Sequence, residues 1–292
     1  MSWDTFVVIV GSIIKNSLYQ LIFTVGLVAV VGLIIGLLNK VFFRLAGYKV
    51  GRIVGLTTGF IGVPIHEIGH ALFCVIFRHR IIEVKLYQLN NAEGTLGYVN
   101  HAYNRRSLYQ QIGNFFIGFG PILFGSMLLL LLMFWLVPNL FGAFNSSVDF
   151  SRILNLDLLS LSTLTSVFDL MRSTKATFFA FSEFGYWRWW AFMVPACSIA
   201  LHMSLSVPDI KSSWVGFCFI VAAVFIANAV LHFFANDAIS TLTNHSLAAG
   251  AFVLNFLTIA VVFSLILVLI GLIIRVIFML ARNKVACYKG IL

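Results

Sequence analysis

The sequence is short of charge. Asp, Glu, Lys and Arg make up 10% of its 292 residues, against about 25% in an ordinary globular domain. Carboxylates are scarcer still, at 10 in the whole chain. So few charges cannot cover a water-soluble fold of 32.5 kDa, and so apolar a chain is not a disordered one. The 4 cysteines, Cys74, Cys197, Cys218 and Cys287, lie far apart with no CxxC pair among them. That excludes both a disulfide framework and a zinc site built on cysteine. No internal repeat and no low-complexity tract is present. The first residues carry neither a basic n-region nor a small-residue cleavage site, so a cleaved signal peptide is not expected.

What the chain has in quantity is apolar surface: 61% of its residues are hydrophobic and 15% aromatic, for a mean hydropathy of +1.01. This is the composition of an all-α polytopic membrane protein, partnered by the lipid bilayer. At about 20 apolar residues per crossing, about six transmembrane helices are expected, over 18–45, 53–77, 110–137, 189–207, 214–234 and 247–280. Residues 2–15 read as a segment lying on the membrane surface. Two connections are more than turns. Residues 78–109 are polar and carry a strand-like pattern, and 138–188 read as interfacial helices.

A formal charge of +9 would suggest nucleic acid in a soluble protein. Here the basic residues are thinly spread between apolar runs, which is juxtamembrane charge facing anionic lipid, and no nucleic-acid partner is expected. The side bearing both termini receives ten of the Lys and Arg, including Arg78, Arg80, Arg105, Arg106 and Lys211. The opposite side receives eight. The excess makes the first side the cytoplasmic one. Oligomeric state is not encoded in any feature of the sequence.

Within the second span stands His66-Glu67-Ile68-Gly69-His70. Spacing of i, i+4 places both imidazoles on one helical face, close enough to hold one metal ion, and puts Glu67 where it can act as general base toward a water. With 7 histidines and 4 glutamates in the chain, independent placement yields HExxH at roughly 0.002 per sequence. The plainer reading, two packing histidines beside an unrelated acid, also conflicts with the cost of ionisable groups inside a span, about 2.5–3.5 kcal/mol each on insertion scales. His70 lies eight residues before Arg78, so the metal would sit about 12 Å from the cytoplasmic end of the helix.

A catalytic zinc takes three protein ligands and keeps one position open. The third ligand must lie at the same depth and side. Asp209, which follows the fourth span in Ser206-Val207-Pro208-Asp209, is favoured, and His202 is its rival. Asp209 also reads as an acid at the start of the next helix, and His202 as a histidine hydrogen-bonded within the bundle. Glu183 and Asp237 approach from the opposite side.

In the loop that follows, residues 83–89 alternate, Asn90-Asn91-Ala92-Glu93-Gly94 is turn chemistry, and Thr95-Leu96-Gly97-Tyr98-Val99-Asn100 can return as a second strand. A hairpin there would offer an unpaired edge to an extended peptide, or would merely link two helices. Gly113, Gly118 and Gly120 are spaced for close helix approach.

Taken together, the chain resembles the site-2 protease family of intramembrane zinc metalloproteases. The resemblance rests on the intramembrane His66-Glu67-x-x-His70, on Leu96-Gly97-Tyr98-Val99 as the family's membrane-associated hairpin sequence, and on Gly118-Phe119-Gly120-Pro121 as its Ala-Gly-Pro helix motif. It spans residues 53–211 as a three-helix catalytic core, leaving 1–52 and 212–292 as flanking transmembrane regions. It implies Zn2+ held by His66, His70 and Asp209, Glu67 as the catalytic base, Leu96, Gly97, Tyr98, Val99 and Asn100 along the substrate, and a transmembrane protein as that substrate. The family's ligating Asp stands in an Asn-Pro…Leu-Asp-Gly type of sequence. Val207-Pro208-Asp209-Ile210 keeps the Pro and the Asp but lacks the Asn and the Gly. A silent relative that binds and regulates membrane proteins, or a metal or proton transporter, are the alternatives.

Overall fold

The computed structural model describes residues 3–89, 95–147 and 185–289. Helix α1 (Trp3–Leu21) passes through a π-helical turn, Ile22–Gly26, into α2 (Leu27–Ile76). Strands β1 (Arg80–Lys85) and β2 (Tyr98–Ala102) come next. Then follow α3 (Leu108–Leu136), α4 (Pro138–Ser147), α5 (Trp187–His202), α6 (Val207–Phe234) and α7 (Asn236–Lys289). Among the described residues, four helical runs are long and apolar enough to cross a bilayer: Trp3–Ile76, Leu108–Leu136, Val207–Phe234 and Asp237–Ala281. The turn 90–94 and the expected interfacial helices of 148–184 lie outside the described residues.

The first of these runs is not one straight rod. Gly47 adopts φ 75° and ψ 169°, a backbone conformation that a residue with a Cβ rarely accepts. The chain reverses there. The ring of Phe43 lies 3.3 Å and 3.5 Å from where a Cβ on Gly51 or Gly55 would stand, whereas eight or twelve residues of straight helix span about 12–18 Å. Helix α2 thus has two arms, 27–46 and 48–76, folded against each other. Ahead of them, residues 3–21 are helical as α1 and join the first arm through the π-helical turn.

The expected fourth span is α5, and it is shorter than the apolar pattern suggested. It stops at His202, leaving 203–206 non-helical before α6 starts at Val207. Its 16 residues reach about 24 Å at 1.5 Å each, less than the roughly 30 Å of a hydrocarbon core. Asn39 secures its end, donating from Nδ2 to the carbonyls of Ala200 at 2.9 Å and Leu201 at 3.1 Å. These are orphan carbonyls of a helix C-terminus, which a buried end must satisfy from elsewhere.

Local chemistry sets the other boundaries. Ser107 caps α3 by accepting from the Gln110 amide, and α3 ends at Leu136, just ahead of Val137-Pro138, because the residue before a proline disfavours the α region. Ser206 and Asp209 form a capping box at the head of α6, with Pro208 in its first turn, where its missing N–H costs nothing. The core lies among α2, α3, α5 and α7, around Ile35, Phe42, Ile122, Leu129, Phe192, Ile199 and Phe263. Large apolar side chains such as Phe60, Trp135, Ile226 and Phe234 face outward, as lipid-facing residues would.

The sheet is an antiparallel pair with Val84 opposite Val99 and Lys85 opposite Tyr98, irregular between Ile81 and Glu83. Both strands sit nearer the helix ends than the alternation of 83–89 and 95–100 suggested. Beyond the ladder the chains stay paired through the Gln88 amide and the Leu96 carbonyl at 2.7 Å.

Far from the hairpin, Gln20 and Asn228 exchange amide hydrogen bonds at 3.2 Å and 2.8 Å, and Gln20 also donates to Thr243 at 3.1 Å. The buried Gln20–Asn228 pair, with half-buried Thr243 beside it, ties α1 to α6 and α7. Such bonds average a modest worth in membranes, but removing one partner strands the other. Asn228→Leu should therefore lower unfolding stability in detergent by about 1–2 kcal/mol. The Gln20→Leu/Asn228→Leu pair should lose less than that single change, and equal or greater loss would contradict the pairing.

Candidate metal centre

His66, Glu67 and His70 lie on the second arm of α2, which passes between α3 and α5. One helical turn brings the two imidazoles together, with His66 Nε2 and His70 Nε2 3.2 Å apart. Asp209, from the first turn of α6, places Oδ1 3.4 Å from His70 Nε2. The three ligand atoms all lie within 4.8 Å of one another, so three residues on two helices form one cluster that a metal ion could occupy.

The protons of the two rings are fixed by their other nitrogens. His66 Nδ1 faces the His202 carbonyl at 2.7 Å, and His70 Nδ1 faces the Ile117 carbonyl at 2.8 Å. A carbonyl only accepts, so each Nδ1 carries the proton and donates, and in a neutral ring each Nε2 is then a bare lone pair. Two lone pairs 3.2 Å apart repel, and neither can bond the other. A cation between them removes the conflict. Zinc–nitrogen and zinc–oxygen bonds of about 2.0–2.2 Å in a tetrahedral shell put neighbouring ligand atoms about 3.3 Å apart, which the observed 3.2 Å and 3.4 Å match. The donor set fits zinc.

Asp209 performs two tasks with two oxygens. Oδ2 accepts from the Ser206 backbone N–H at 2.8 Å, and the Asp209 amide donates back to Ser206 Oγ at 3.2 Å. Oδ1 is left for the cluster. The helix-start reading of this acid thus holds for one oxygen, and the other is turned toward the two histidines. His202 stands behind the cluster. Its Nδ1 bonds the Ser198 carbonyl at 2.9 Å, its ring packs on Gly62, and its backbone carbonyl orients His66. Among the described residues neither Asp237, His232 nor His245 joins the group, and Glu183 lies outside them.

Glu67 is buried at 6% exposure and borders a cavity of about 610 Å3 shared with the cluster, with Thr95, Leu96, Gly97, Tyr98 and Val99, and with His101. Gly97 lies directly over it, since a Cβ there would stand 2.9 Å and 3.0 Å from Glu67 Cγ and Oε1. The Tyr98–Ala102 strand therefore runs along the cavity wall. Of the residues read as substrate contacts, Leu96, Gly97, Tyr98 and Val99 line the cavity; Asn100 is on the same strand with its side chain exposed.

Sequence reading overlooked a second histidine pair at the cavity's rim. His79 Nε2 faces the Gln110 carbonyl at 2.8 Å and so donates, leaving Nδ1 to accept from His101 Nδ1 at 3.1 Å. Tyr103 stacks on His79 at 5.1 Å between centroids. Burial, then the neighbouring His79 and His70, push the His101 imidazole down to about 4, and burial lowers His79 as well. No spacing rule joins residues 79 and 101. Only the hairpin brings them together.

Comparison of the chain with protein-family models, with curated proteins and with solved structures gives no match.

Three outcomes follow. Because burial favours both rings of the rim pair neutral, His101 should show no protonation in a 15N histidine titration of the folded protein until pH falls toward 4; a midpoint near 6.5 would contradict the burial of the pair. Asp209→Asn should abolish stoichiometric zinc binding, measured by competition against a chelator. His202→Ala, which spares the His202 carbonyl, should weaken zinc binding by no more than the 10–100-fold typical of outer-shell changes.

Proposed function

We propose that this chain is an intramembrane zinc metalloprotease of the site-2 protease type that hydrolyses peptide bonds of membrane-embedded protein substrates. The observation that carries the reading is the facing pair of Nε2 lone pairs with Asp209 Oδ1 beside them, next to buried Glu67 and under a strand. Six crossings follow if the two arms of α2 are counted separately and α5 is counted as a short one. The metal then sits toward the end bearing the hairpin, Arg78, Arg80, Arg105 and Arg106, which the basic-residue excess assigns to the cytoplasm.

His66, His70 and Asp209 would hold the zinc. When bound, it supplies a Lewis acid that polarises the scissile carbonyl and lowers the pKa of water. The chain's own residues supply the rest. Glu67, with its carboxylate at the cavity wall, takes the proton of the attacking water and passes it to the leaving amine. A transmembrane helix hides its amides in i→i−4 bonds, so a substrate must be unwound before attack. The outer edge of β2, unpaired among the described residues, can hold one extended strand by main-chain bonds. Gly97 lets the chain leading into β2 come down onto Glu67, where a Cβ would crowd the carboxylate.

Glu67→Gln should retain zinc in metal analysis and lose cleavage. Proteomics of membranes carrying wild-type or Glu67→Gln protein should then reveal at least one membrane-protein fragment that appears only with wild type. Zinc bound in both but no Glu67-dependent fragment would favour a silent binding protein. An absence of zinc from the wild type would end the metal reading.

A further inference from the structure

The Gly120-Pro121 step of α3 remains unexplained by the cluster itself. In an α-helix the carbonyl of residue i accepts from the N–H of residue i+4. The residue four beyond Ile117 is Pro121, which has no N–H. The Ile117 carbonyl is therefore left without its partner in the interior of a buried helix, where an unsatisfied polar group is costly. His70 Nδ1 donates to that same carbonyl at 2.8 Å.

The contact is possible only because the two backbones meet. A Cβ on Gly69 would stand 2.7 Å from Pro121 Cα, and one on Gly120 would stand 2.6 Å from the Gly69 carbonyl oxygen. Gly69, Gly120 and Pro121 thus make one device. The glycines bring the helices together and the proline vacates the acceptor. His66 uses the same principle from another source, since the His202 carbonyl it engages is freed by the end of α5.

We propose that Pro121 is a positioning residue for the metal centre: by withholding an N–H from the Ile117 carbonyl, it reserves that acceptor for His70 Nδ1 and so keeps the His70 Nε2 lone pair aimed at the ion. The inference rests on the zinc reading above. An N–H at position 121 would compete for the carbonyl in line with the helix axis and draw it away from the imidazole. The neutral ring would then lose its orienting partner and its preference for the Nδ1–H tautomer.

The test separates the missing N–H from the proline ring. Full-length protein in detergent is prepared as wild type, as Pro121→Ala, and with lactic acid at position 121, the backbone-ester counterpart of alanine, which also lacks the N–H. Zinc affinity is read by competition against a chelator, and unfolding stability is measured on the metal-free proteins. Pro121→Ala should bind zinc 10–100-fold more weakly, the range for loss of an outer-shell partner, without a matching loss of metal-free stability. The ester should bind as wild type does. Equal losses in the alanine and ester proteins, or a Pro121→Ala protein that binds zinc normally, would overturn the role of Pro121 while leaving the metal site standing. A wild type that binds no zinc would overturn both.

Discussion

The arrangement depends on two hydrogen bonds from imidazole to backbone carbonyl. A histidine on a helix can present either nitrogen, and its rotamers sweep a wide arc. His66 Nδ1 on the His202 carbonyl and His70 Nδ1 on the Ile117 carbonyl settle both questions at once. Each bond fixes a proton on one nitrogen and directs the other nitrogen's lone pair to a common point. Asp209 joins them only because its second oxygen is held by Ser206. Each member of the cluster therefore has one atom tied to backbone and one atom free, and the tie decides where the free atom points.

These ties dictate how closely the helices pack. In a bilayer there is little hydrophobic force between helices, so small residues must let backbones meet. Gly62 lies against the Ser198 carbonyl and the His202 ring, Gly69 against Pro121, and Gly118 against Asp209 and Ser213. In each pair one partner belongs to the cluster, orients it, or stands beside a residue that does. The reversal at Gly47 adds to this. Asn39 and His66 would lie roughly 40 Å apart along a straight helix, yet both reach the last turn of α5.

The sequence made the centre's side chains legible because their chemistry is written in residue types. HExxH on an apolar helix, an acid following a proline at the same depth, and a polar loop able to return as a strand all appear as letters at fixed spacings. The structure brings His66, His70 and Asp209 together and sets β2 along the cavity. What could not be read was carried by the backbone. Carbonyl acceptors have no letter of their own, so the partners of His66 and His70 were invisible. The length of α5 was misjudged for a related reason: hydropathy continues through Met203, Leu205 and Val207, although the helix ends at His202. The strands slipped toward the helix ends because the 83–89 alternation is imperfect, and a two-stranded ribbon is weakly registered without a buried face.

The division of tasks at Asp209 has a consequence for how the centre forms. Its capping box starts α6, and the same side chain completes the cluster, so α6 cannot begin elsewhere without losing a ligand. The non-helical stretch 203–206 is the linkage. It starts just after the carbonyl that orients His66 and ends at Ser206, which orients Asp209. Ending α5 early is therefore what orients two of the three members of the cluster. A helix running unbroken from 189 to 207, as the apolar pattern suggests, would engage the His202 carbonyl in its own ladder and remove Ser206 from its capping position. The short α5 is thus a requirement of the cluster: an apolar helix gives up length so that backbone groups become free beside HExxH.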